Sequence, residues 1–289
     1  MRFGAATPQV GVSWQDLKDT WIALDRDSGF DDLWLCDHLQ IVEDGVVRDV
    51  LEGWTTLGSL AAATSRVRLG LLVTCASFRS PFLLAKIAAT VDEISGGRLI
   101  VGLGAGWDER EHTLAGVPFG RRGERIARLE RTVDELLEAW SSPEWRPRLR
   151  QRPHPPILIG GGGRPRVLEL TARRANAANV MGTPQGVGRK WQILDQQCAA
   201  VGRPPGEVRR TAQVLLSSGG NRQATVSLLA RRRATSTAEA EGFVCPADPT
   251  AMRDWLAAYS AVGTEEIIVT SFPDLDLRAL QRFSEVVHA

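Results

Sequence analysis

Three short stretches carry residue types that chemistry can use. Asp37-His38 follows the apolar run Leu33 to Cys36. Histidine changes charge near neutral pH, so His38 can donate or accept a proton. Asp37 can orient it or simply cap the loop, and the bland alternative is a histidine beside a flexible loop, Ile41 to Val50. Gly160-Gly161-Gly162-Gly163-Arg164 lies between an apolar run and a helix opening near Pro165. Unpaired N–H groups and the positive end of a helix dipole make such a loop a seat for phosphate, with Arg164 as a charged contact. Four glycines also make a plain tight turn. The third stretch is Gly102-Leu103-Gly104-Ala105-Gly106-Trp107. A dinucleotide fingerprint GxGxxG needs glycine where Trp107 stands, so that reading fails. A flat ring lying on Gly104 to Gly106 is the functional reading left, beside close packing of a strand end.

Those stretches need a scaffold. Eight apolar runs of strand length recur: Arg2 to Thr7, Leu33 to Cys36, Val67 to Thr74, Leu99 to Leu103, Ile157 to Ile159, Ala177 to Met181, Thr211 to Ser217 and Ile267 to Ser271. Helical spacing fills the gaps, as in Pro81 to Ser95, where proline opens the helix and Gly96-Gly97 stops it. Strand alternating with helix eight times predicts a parallel sheet closed into an α/β (β/α)8 TIM barrel, one domain over residues 1–289. Such barrels work through the loops after their strands. All three chemical stretches fall there, as do Thr74 and Gly182.

Composition narrows the partners. With 35 basic against 34 acidic residues, the net charge of +1 gives no footprint for nucleic acid or a membrane surface. No apolar run approaches the ~20 residues of a membrane span, and the first residues lack a signal-peptide core. Cys36, Cys75, Cys198 and Cys245 show no CxxC or metal-ligand spacing, so reduced cysteines, a cytoplasmic location and no metal are expected. Glu109, Glu111 and His112 read as the polar face of a helix start, and Arg231-Arg232-Arg233 as a solvated helix face or a contact for an anionic tail.

Taken together, LWLCDHL, LEGWTTLGSLAAATSRVRLGLLVTC, PFLLAKIAATVDEISGGRLIVGLGAGWDERE, GERIARLERTVDELLEAW and RPHPPILIGGGG resemble the luciferase-like superfamily, and most of all its coenzyme F420-dependent oxidoreductase branch. The resemblance is dense over about the first 180 residues of the sequence. It implies a deazaflavin or flavin at the barrel mouth, its ring over Leu71 to Thr74 and against Gly104 and Gly106. It also implies a non-prolyl cis peptide at Leu71–Leu72 or a neighbouring bond, contacts from Leu72, Val73 and Thr74, and phosphate on Gly161, Gly162, Gly163 and Arg164. Asp37 and His38 match the family's Asp-His pair. The implied activity is hydride transfer between coenzyme F420 and a small organic substrate, with His38 exchanging a proton. An FMN-dependent two-component monooxygenase and a cofactor-less binding barrel are the alternatives. A homodimer is implied as well. The chain departs from the family in a short Ser141–Gln151 segment and a divergent stretch from Gly219 to Pro246.

Overall fold

The computed structural model describes residues 1–43, 45–233 and 236–289, without the side chains of Arg232 and Arg233. In chain order it runs β1 (Arg2–Ala6), α1 (Trp14–Asp27), β2 (Asp32–Leu35), β3 (Ile41–Glu43), β4 (Val46–Arg48), α2 (Gly53–Ala63), β5 (Arg68–Leu71), β6 (Thr74–Cys75), α3 (Pro81–Ser95), β7 (Leu99–Gly104), α4 (Glu109–Leu114) and α5 (Arg122–Ser141). It continues β8 (Ile157–Gly160), α6 (Pro165–Arg174), β9 (Ala177–Met181), α7 (Pro184–Ala200), β10 (Arg209–Ser217), α8 (Arg222–Arg233), α9 (Thr237–Glu241), α10 (Pro249–Ala261), β11 (Glu266–Phe272) and α11 (Leu277–His288). The parallel order β5-β2-β1-β11-β10-β9-β8-β7 closes through β5–β7, where Leu69 faces Leu99. This is a (β/α)8 barrel, and each expected strand lies in it.

Two differences from the sequence reading bear on the mouth. Residues 41–50 are not simply a loop: Ile41–Glu43 and Val46–Arg48 pair as an antiparallel hairpin. The Gly219–Pro246 stretch carries α8 and α9, and Leu215 bridges Val244 in parallel. Arg231 is exposed on α8, as expected of a solvated face; the side chains of Arg232 and Arg233 lie outside those described.

The side-chain period of two along each strand sorts the lumen into layers. Asp32, Arg68, Arg209 and Glu266 occupy the N-terminal end, with Arg68–Asp32 at 2.6 Å and Arg209–Glu266 at 3.3 Å. Two positions further along the strands, Trp34, Ile100, Leu158, Ala177 and Ile268 form the apolar middle. Gly70 makes room for it, since a Cβ there would stand 2.7 Å from the Trp34 ring and 2.4 Å from Ile100 O. Next come Asn179, which donates to Thr211 Oγ1, and Gln213, which donates to Thr270 Oγ1. The floor of the mouth is therefore polar.

The lower layer has a pH signature. Burial, then the neighbouring Asp32, push the Glu266 carboxyl well above its ordinary value. Its stabilising contribution is full below the ordinary glutamate range and is lost as pH rises towards the raised value. An amide side chain mimics the neutral acid, so Glu266→Gln is expected to gain Tm relative to the parent as pH is raised from about 5. Melting curves across that range check this; a Tm difference independent of pH would contradict it.

Candidate active site

The chain fixes the β2 loop before it offers His38. Buried Gln9 donates to Cys36 O at 2.6 Å and accepts from Cys36 N at 3.1 Å. Asp37 then accepts from Arg79 Nη1 at 2.8 Å, Arg79 Nη2 at 2.9 Å and Cys75 N at 2.9 Å. This all-acceptor set is that of a carboxylate, even though burial pushes the Asp37 pKa up. Arg79 also donates to Glu52, which caps α2. Asp37 thus staples the β2 loop to the segment after β5. Of the two roles open to Asp37, orienting His38 or holding the loop, its bonds to Arg79 and Cys75 N support the second.

The partner of His38 is Glu111, whose Oε2 lies 2.8 Å from His38 Nδ1. Glu111 Oε1 accepts from Leu39 N at 2.6 Å and Gln40 N at 3.0 Å. Burial works to raise the Glu111 pKa, but these bonds outweigh it and the carboxyl lies below its ordinary value. Glu111 is therefore an anion at neutral pH, only 3% exposed. The expectation of a polar helix face holds for exposed Glu109 and fails for Glu111 and His112, which α4 turns inward. His112 donates from Nδ1 to Asp108 O at 2.7 Å and packs between Phe78 and Phe119. Gly106, at φ +75°, covers His112 and Cys75: a Cβ there would lie 2.9 Å from His112 Cε1 and 2.7 Å from Cys75 Sγ.

Between β5 and β6 the Leu72–Val73 peptide is cis, one bond beyond the first expected position. Val73 fills space that glycines leave, since a Cβ at Gly104 or Gly160 would meet its methyls at 2.5 or 2.7 Å. Thr74 Oγ1 is buried and has no hydrogen-bond partner among the described residues.

These groups share one cavity of about 1230 Å³ at the C-terminal mouth. Asp37, His38, Leu72, Val73, Thr74, Gly104, Gly106, Gly161, Gly162 and Arg164 all line it. Gly163 does not; it is a buried turn at φ +68° with Lys190 packed behind it. Gly161 and Gly162 are exposed, and α6 follows its N-cap residue Arg164 with no side-chain cap hydrogen bond at its N-terminus. Arg122 and Arg189 line the same cavity, outside the set the sequence points to. Among the described residues, no hydrogen bond or ion pair engages the side chain of Arg122, Arg164 or Arg189. They come from three separate elements, so nothing local in the sequence groups them.

Fold and site together define a (β/α)8 protein with its ligand cavity at the C-terminal mouth. Residues 1–267 match the family of luciferase-like monooxygenases, and the chain belongs to that family. An F420-dependent glucose-6-phosphate dehydrogenase of Kineococcus radiotolerans is 30% identical over 211 residues, 66% of this chain and 61% of that protein. An uncharacterized protein of Mycobacterium tuberculosis is 31% identical over 166 residues, 53% of this chain and 58% of that protein. The chain thus spans less than two thirds of the length of these curated relatives. An F420-dependent secondary alcohol dehydrogenase, solved with an F420–acetone adduct, superposes with a TM-score of 0.84 at 16% identity, over 99% of this chain and 97% of that one. A monooxygenase from Streptomyces bottropensis gives 0.78 at 21%, over 100% and 98%. At such identities the shared property is the fold. No helix among the described residues is long and apolar enough to cross a membrane.

Proposed function

We propose that this protein is an F420-dependent oxidoreductase, interconverting an alcohol and a carbonyl compound or a similar small organic pair. The observation that carries the reading is the Glu111–His38 pair facing the same cavity as a glycine loop and unpaired arginines. The residues fit a deazaflavin: Thr74 Oγ1 is a buried polar atom lacking a partner, Gly104 and Gly160 admit the Val73 bulge, and Gly161-Gly162 opens an anion seat. Arg122, Arg164 and Arg189 exceed what one phosphate needs, which favours a tail with several anionic groups over FMN. The cofactor supplies the hydride acceptor or donor; the chain supplies the proton. Glu111 keeps the proton on His38 Nδ1 in both charge states of the ring, so exchange takes place at Nε2. In oxidation of an alcohol, the C–H pair leaves as hydride, the O–H proton passes to Nε2 and a C=O bond forms.

Titration with F420 and, separately, FMN tests this by fluorescence. Binding of F420 alone supports the reading, FMN alone transfers the site to flavin chemistry, and neither overturns both. A Cβ at Gly162 would meet nothing within 4 Å, and its φ is not positive, so Gly162→Leu blocks the seat without disturbing the fold. F420 affinity is expected to fall about tenfold or more; an unchanged Kd with unchanged Tm would remove phosphate from this loop. Exposed Phe82, Leu83 and Ile94 on α3 support a homodimer through that helix, and the four unpaired cysteines support a cytoplasmic location.

A further inference from the structure

A second cavity, of about 390 Å³, lies behind the wall of the first, and its size is that of a small-molecule site. It opens between the segment that joins β6 to α3 and the outer face of α5, and Phe78 lines both cavities. Its charges are not balanced. Arg128 donates from Nη1 to Ser77 Oγ at 2.9 Å and to Pro118 O at 3.1 Å, so its partners are neutral. Arg131 stands three residues on, on the same helix face. Among the described residues, no hydrogen bond or ion pair engages its side chain. The nearby acids of α5 are committed elsewhere. Glu124 accepts from Arg121 N, Glu130 pairs with Arg166 and Arg173, and Asp134 pairs with Arg174. The cavity also holds an unmet hydroxyl. Thr132 is 1% exposed and lines it, and its buried Oγ1 has no partner among the described residues. Leaving such a group unpaired is costly, and a ligand oxygen satisfies it. Ser80 brings the positive end of the 15-residue helix α3 to the same place. Glu135 is the one carboxylate among the described lining residues.

We infer that this cavity is a binding site for a small phosphate monoester, whose phosphate bonds Arg128 and Arg131 and accepts from Thr132 Oγ1. Two guanidiniums with no carboxylate partner suit a doubly charged oxyanion. The site is distinct from the glycine loop, which follows β8, and it does not depend on the cofactor reading. Its occupant bears on the segment whose Arg79 holds Asp37. The test is calorimetric titration with inorganic phosphate and with methyl phosphate, at an ionic strength held by chloride. The protein is the Gly162→Leu variant, in which the glycine loop is blocked. One phosphate per chain is expected. Arg131→Gln is expected to weaken it about tenfold or more, and Thr132→Val about fivefold. Glu135→Gln removes the opposing charge and is expected to tighten it about threefold. Arg131 and Glu135 are exposed, so those two variants decide the matter even if Thr132→Val fails to fold. Absence of binding at millimolar concentration overturns the inference, as does binding indifferent to both Arg131→Gln and Glu135→Gln. Binding of inorganic phosphate without methyl phosphate overturns the assignment to a monoester.

Discussion

His38→Ala is expected to lower kcat about 10²- to 10⁴-fold, the range of a positioned acid or base, while F420 affinity and Tm stay at parental values. The ring is part-exposed to the cavity and, among the described residues, bonded only through Nδ1 to Glu111, so its removal leaves the barrel core untouched. Imidazole added to the assay should restore part of the rate, because the cavity has room for it. A fully active variant would remove proton exchange from His38. Glu111→Gln separates positioning from packing. The amide oxygen can still accept from Leu39 N and Gln40 N, which holds the loop. The amide nitrogen then faces Nδ1 and donates to it, driving the His38 proton to Nε2. The expected result is a kcat loss of about 10- to 100-fold at unchanged Tm and KM, with the tautomer change visible in the ¹⁵N shifts of the His38 ring. A shift of Tm alone, with kcat intact, would make Glu111 structural only.

How these two residues meet explains what can be read from the chain. His38 is legible because Asp-His stands directly after an apolar run, and strand ends mark the mouth of a barrel. The eight strands are legible for a similar reason: runs such as Leu99–Gly104 are buried on both faces and bounded by glycine. Glu111 is not legible. It lies 73 residues from its partner in a six-residue helix whose charged sequence resembles a solvated face. Only closure of the sheet turns it inward. Hairpin β3–β4 leaves no clear trace because its strands are three residues each, with exposed valines and no buried face to impose alternation. Arg122 and Arg189 are hidden too, since convergence of loops from different repeats is a property of the ring and not of any one segment.

Gly102→Ala is expected to be the most damaging single methyl in the chain. A Cβ at Gly102 would lie 2.0 Å from Leu71 O and 3.3 Å from Val73 Cγ1. The obstructing atom is backbone, so no rotamer relieves it. Gly102 sits on β7 where that strand closes the ring against β5 and β6, directly beside the Leu72–Val73 bulge. Relief requires moving one strand end away from the other, and with it Val73, Thr74 and the Cys75 N–H that Asp37 holds. A loss of about 4 kcal/mol or more is expected, in the range of core disruption, read as a fall in the urea midpoint. Loss of F420 affinity should accompany it. Gly58→Ala supplies the contrast. That position is inside α2, its φ is not positive, and the nearest atom to a new Cβ is Val91 Cγ2 at 3.9 Å. Alanine there is expected to stabilise by about 0.5–1 kcal/mol. If both variants shifted the midpoint alike, the obstruction at Gly102 would not be what shapes this corner of the mouth.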